Sequence, residues 1–242
     1  FRQGGSQPGS DHNATGRSRS RGRGADYQQL PPFVKVPPTP SGISFTVLKG
    51  EIVSFHHPLW RIHKTGGPHA SRWNELRHFG PVPGMRFEPH PEPEQHHAAT
   101  GVAYAAVAPA SAFAEAFQVT RVIDRYAYSP ALVSWIPSRP LSLLDLTGLW
   151  PIRNGAAAAL SMQEDKDATS SWAREIYRQL GNDIDGLVHT SSLTHQPLVT
   201  LFSRVERDPA FPARPSFNAP LSSVTTDEIV DFVADQLNYG VI

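Results

Sequence analysis

The chain has 242 residues, 22 lysines and arginines against 22 aspartates and glutamates, and no cysteine. That length accommodates one domain with a full core plus tails, and the balanced charge excludes bulk electrostatic attraction to nucleic acid or membrane, so a charged partner has to be recognised locally. The missing cysteines exclude disulfides, thiolate metal sites and a thiol nucleophile, while the lack of a long apolar run and of a leader-like start makes a soluble, cytoplasmic chain the expectation.

Residues 1–44 are dominated by Gly, Ser, Arg, Gln and Pro, with an Arg-Ser/Arg-Gly run over 17–24 and proline pairs at 31–32 and 37–38. Such a stretch buries too little apolar surface to offset the entropy of ordering it, so a disordered tail is expected. Its arginines are the one feature suited to transient contact with RNA or an acidic partner. From residue 45 the pattern becomes globular. Short apolar runs at 59–63, 84–88, 101–107, 141–146, 184–190 and 197–203 read as strands. Helical periodicity spans 109–119, 170–180 and 225–238, the last opening with Thr225 and Glu228 at capping-box spacing. The proline-rich stretch 205–222 reads as an extended arm. The order of elements, with no regular βαβ alternation, predicts an α+β fold. The expected organisation is a tail over 1–44, a catalytic domain over 45–205, and an arm with a terminal helix over 206–242.

Five polar residues stand inside apolar runs: Arg61, Arg86, Tyr104, Glu115 and Ser191. Burying an arginine or glutamate without a partner costs several kcal/mol, so such residues pair with each other or line a cleft, and the set reads as one site. Both arginines fall in predicted strands and offer planar donors that fit phosphate oxygens. Arg72, in Ser71-Arg72-Trp73-Asn74, is a rival to Arg86, and Ser192 an off-by-one alternative to Ser191 with His189 as a neighbour. His90, His96 and His97 lie in a stretch interrupted by Pro91 and Pro93, where no rigid element holds ligand geometry, and no metal is expected there.

The order and surroundings of these residues over about 55–205 resemble the RES domain family, named for its Arg, Glu and Ser and best known as the toxin half of bacterial toxin–antitoxin pairs. The resemblance implies a core similar to the ADP-ribosyltransferases, with mixed or antiparallel sheets and flanking helices, and an activity that consumes NAD as substrate. It implies Glu115 as the catalytic carboxylate, Arg61 and Arg86 as the pyrophosphate clamp, and Tyr104 stacked on nicotinamide or ribose. Ser191 would hydrogen-bond the ribose or carboxamide. A cognate antitoxin would restrain the enzyme. Water, phosphate or a protein side chain remain open as acceptor, as does a binding module without turnover. The insertion over 88–97 is longer than the family pattern and leaves the cleft mouth undefined.

Overall fold

The computed structural model describes residues 42–242. Apart from its last residues, the expected tail, with its arginine run, lies outside them. The strands are β1 (Ile52–Phe55), β2 (Leu59–Lys64), β3 (Phe79–Gly80), β4 (Gln95–His96), β5 (Val102–Ala106) and β6 (Val122–Ile123). They continue with β7 (Pro130–Trp135), β8 (Leu141–Asp145), β9 (Gly186–Thr190), β10 (Pro197–Phe202), β11 (Phe217–Pro220) and β12 (Gly240–Val241). The helices are α1 (Pro109–Phe117), α2 (Trp150–Arg153), α3 (Lys166–Leu180), α4 (Arg204–Arg207) and α5 (Asp227–Leu237). An eight-stranded sheet in the order β1-β8-β9-β10-β5-β2-β7-β11 forms the centre, and β3–β4 and β6–β12 make two small pairs. Only β8–β9 run parallel in the large sheet. This mixed sheet with flanking helices is the α+β architecture that the element order predicts.

Both faces of the sheet are covered, which is why β7 is buried along all six of its residues. On one face Leu59, Val133, Trp135, Leu143, Val199 and Leu201 pack beneath connecting segments that carry Trp73, Leu76, Val205 and Phe211. On the other face two helical layers cover different strands. Helix α3 sets Trp172 and Ile176 against Leu144, Leu187 and Phe202. Helices α1 and α5 set Phe113, Val230 and Val233 against Leu132, Trp60 and Ile62. Truncating a large buried side chain such as Trp172 to Ala costs about 3–5 kcal/mol. The middle of this second face, along β9, β10 and β5, carries the polar residues of the site.

The sheet splays between β2 and β5. These strands pair only at Trp60 and Ala106, whereas the start of β5 bonds to Arg77 through Arg77 N–H to Val102 O at 2.8 Å and Val102 N–H to Arg77 O at 3.0 Å. The segment 71–78 fills the opening, anchored at its other end by Ser71 N–H to Lys64 O at 2.9 Å. Gly186 closes β9 onto β10, where a Cβ would lie 2.0 Å from the Thr200 carbonyl oxygen. Only glycine permits that approach, and it sets the register in which His189 and Ser191 follow.

Several sequence expectations change. Residues 84–88 are a turn, not a strand: Phe87 is left-handed at φ 54°, and α3 supplies the hydrogen bonds a ladder would have given, with Phe87 N–H to Thr169 Oγ1 at 3.4 Å and Glu88 N–H to Ser170 Oγ at 3.2 Å. Helix α3 begins earlier than 170 because Asp165 caps it, accepting from Asp167 N–H and Ala168 N–H at 3.0 Å each. The Thr225–Glu228 capping box does not form; the Ser223 hydroxyl accepts from Thr225 N–H at 3.2 Å in a 3₁₀ turn that precedes α5. The stretch 205–222 is not merely an arm, since β11 joins the large sheet beside β7. Its Pro220 is tolerated because the strand is at the edge.

Candidate active site

Helix α1 follows β5 after two residues, with Pro109 in its first turn, and places Glu115 half-buried one turn beyond the buried Ser111. Ser191, fully buried just past β9, donates its hydroxyl hydrogen to Glu115 Oε1 at 2.8 Å. The Ser191 hydroxyl oxygen in turn accepts from Leu193 N–H and Thr194 N–H at 3.1 Å each. A second hydroxyl contact, Ser111 Oγ to Thr194 Oγ1 at 2.7 Å, fastens α1 to this turn. The single hydroxyl hydrogen of the serine is thus directed at the Glu115 carboxylate.

Arg86 reaches the same cluster. Its guanidinium donates to the Gln163 carbonyl and lies 3.5 Å from Ser192 Oγ. Burial lowers its pKa and the Glu115 charge raises it, which puts the two charges within electrostatic reach of one another. His189, also buried, meets Thr200 Oγ1 through Nε2 at 3.0 Å and packs against the Phe87 ring at 4.5 Å between centroids. Burial first, then the charge of Arg86, hold its pKa down to about 3, so the ring is neutral at physiological pH.

Tyr104 is the cross-strand partner of Thr200, so it shares this face with His189. Its hydroxyl donates to Glu88 Oε2 at 3.5 Å. Burial, then the Glu88 charge, push the phenol's pKa up and keep it protonated. Glu88 also accepts from Arg77 and His90. Burial alone would raise its pKa, but the hydrogen bonds from His90 and Arg77 prevail and hold it below the usual carboxylate value.

Arg61 is not with them. It opposes Val133 across β2–β7, on the face that Leu59, Ala103 and Ala105 share, whereas Tyr104 projects from the other. Its guanidinium donates to the main-chain oxygens of Glu75 at 3.0 Å and Trp73 at 3.3 Å. Burial lowers its pKa to about 10. The structure does not bring Arg61 and Arg86 into the expected clamp: Arg61 projects from β2 to one face of the sheet, whereas Arg86 sits in the 84–88 turn packed against α3 on the other. Arg72 is exposed, 4.0 Å from Glu75. It lines an open groove of about 440 Å³ with His63, Trp73 and Asn218, away from Glu115.

The sequence reading missed Glu88, Arg77 and His90. The signal was present in Phe87-Glu88-Pro89-His90, a charged residue continuing an apolar run, but the prolines made 88–97 read as a loop. Residues 87–90 are instead buried, and His90 is fully enclosed. Among the described residues no group of three or more His, Asp or Glu side chains could hold a metal ion.

An α+β domain whose central sheet carries a serine-anchored carboxylate and a nearby arginine defines the class. The model of the RES domain family matches residues 58–222, and the chain belongs to this family. The match runs beyond residue 205 and takes in β11, in keeping with the place of that strand in the sheet. Among solved structures, one similar chain is from the crystal structure of the M. tuberculosis MbcT–MbcA toxin–antitoxin complex, with 12% identity, a TM-score of 0.47, and coverage of 69% of this chain and 85% of that one. No curated protein matches the sequence.

Proposed function

We propose that this RES-domain chain cleaves the bond between nicotinamide and ribose in NAD and acts as the toxin of a toxin–antitoxin pair. The observation that carries the reading is the Ser191–Glu115 hydrogen bond at 2.8 Å beside Arg86, within a chain that belongs to the RES family. As the C–N bond breaks, its electron pair leaves with nicotinamide and neutralises the pyridinium, so little proton chemistry is required. The ribose C1′ becomes an oxocarbenium-like cation. A preorganised carboxylate stabilises that charge without reorganising during reaction, and a buried serine hydroxyl with two backbone N–H groups behind it supplies the preorganisation. Arg86 would bind a pyrophosphate oxygen, its fork only partly engaged by Gln163 and Ser192. Tyr104 would stack on the nicotinamide or ribose. Water, losing a proton to solvent, or phosphate would then capture C1′.

A binding module without turnover fits less well, because Glu115 would repel a phosphate backbone near Arg86. No helix among the described residues is long and apolar enough to cross a membrane. A cytoplasmic location and an antitoxin that inserts an anionic group opposite Arg86 complete the proposal. Incubating the purified chain with NAD, with and without phosphate, and separating the products by chromatography tests it. Free nicotinamide with ADP-ribose or its 1″-phosphate is the expected result; intact NAD overturns the reading.

A further inference from the structure

We infer that Glu88 is a positioning residue that holds Tyr104 and Arg77 as one unit on the face where Glu115 stands. Its consequence for binding rests on the NAD reading above. The backbone bridge between Arg77 and Val102 places Arg77 beside β5, and because Val102 and Tyr104 share a face, the Arg77 side chain joins Tyr104 there. Glu88, 1% exposed, lies between them. Its Oε2 takes Arg77 and, at 3.5 Å, the Tyr104 hydroxyl, while Oε1 takes His90 Nδ1. An ionised carboxylate only accepts, so His90 carries its proton on Nδ1.

The backbone of Glu88 is fixed as well. Its N–H donates to Ser170 Oγ at 3.2 Å, and that hydroxyl donates to the Met85 carbonyl at 3.0 Å. The main chain two residues after Arg86 is therefore anchored to α3, while the carboxylate is held by Arg77, His90 and Tyr104, so one short segment ties Arg86, Glu88, Tyr104 and Arg77 together. Arg77 remains 28% exposed and supplies on this face the second guanidinium that Arg61 supplies only to the opposite one. Since Glu88 neutralises much of its charge, Arg77 contributes directed N–H donors more than net attraction to phosphate.

The test combines tyrosine titration by NMR with kinetics on the intact chain. In the wild type, the resonance that disappears in Tyr104→Phe should stay protonated above the ordinary phenol value of about 10, and Glu88→Gln should lower its titration. Tyr104 ionising at that ordinary value in the wild type overturns the inference, whether or not NAD is cleaved. Glu88→Gln and Tyr104→Phe should each raise KM for NAD by about tenfold with kcat changed far less, and the double variant should be no worse than about tenfold, because coupled residues are not additive. A roughly hundredfold rise in the double variant would show independent roles and overturn the inference. Should Glu88→Gln fail to fold, Arg77→Gln, altered at the more open side of the cluster, should raise KM for NAD by about tenfold with no further rise when Tyr104→Phe is added; a roughly hundredfold rise in that double variant overturns the inference. Intact NAD with the wild type, together with a Tyr104 titration that responds to Glu88, rejects the NAD reading and keeps the positioning role.

Discussion

Arg61 and Arg86 begin from the same signal, an arginine inside an apolar run, and end on opposite sides of one sheet. Arg61 donates from Nη1 to the carbonyls of Trp73 and Glu75 and so helps close the splay between β2 and β5. Arg86 has one carbonyl and one long serine contact, and faces a carboxylate that Ser191 holds in place. The first arrangement ties a guanidinium to the backbone of segment 71–78; the second sets one on the side of the sheet where Glu115 stands. The difference follows from where the backbone lies: Arg61 takes its face from the alternation of β2, and Arg86 takes its from a turn whose N–H groups bond to Thr169 and Ser170 of α3.

The largest expected effect falls on the carboxylate of the Arg86 face. Glu115→Gln should keep the fold and lower NAD cleavage by about a hundredfold or more, the order set by losing one preorganised electrostatic stabiliser; turnover near that of the wild type would refute its assignment. Ser191→Ala should act through the same carboxylate, and it also strands the N–H groups of Leu193 and Thr194 at a cost of about 1–3 kcal/mol. Both kcat and the melting temperature should fall, and an unchanged kcat would separate the serine from Glu115.

The arginines divide by readout. Arg86→Lys should weaken NAD binding by about tenfold through loss of the fork, with little change in melting temperature. Arg61→Lys should do the reverse, lowering stability by about 1–3 kcal/mol because buried carbonyls lose their donors, with NAD affinity unaltered. If Arg61→Lys damages affinity as Arg86→Lys does, the two-face comparison fails. Affinity lost in Arg72→Lys but not in Arg86→Lys would move the phosphate site to the exposed groove.

The last test concerns pH dependence. His189 is held neutral, with a folded pKa of about 3 against about 6.5 in an unfolded chain. Between these values the unfolded chain binds more protons, so stability rises with pH there and is lost as pH falls below about 6.5, at up to about 1.4 kcal/mol per unit. His189→Gln should flatten that part of the profile of melting temperature against pH. An unchanged slope would mean that other groups carry the acid sensitivity.

Much of the architecture follows from local pattern. The apolar runs that become β2, β5, β8, β9 and β10, the α1 helix after β5, and the placement of Tyr104 and Glu115 on that strand–helix unit are all readable from period and punctuation, because each records burial over a few neighbouring residues. Strand β7 escaped because Pro-Ala-Leu-Val-Ser-Trp has no alternation; both its faces are covered, and that is a property of the sheet. Only the tertiary structure decided that 84–88 turns instead of extending, since its hydrogen bonds come from Thr169 and Ser170, more than eighty positions away in the chain. It likewise decided which arginine lies on the Glu115 side of the sheet and that Glu88 joins Tyr104 to Arg77. A strand's period of two separates neighbours onto opposite faces, but which face becomes a site depends on the segments that pack there, and their contacts lie far apart along the chain.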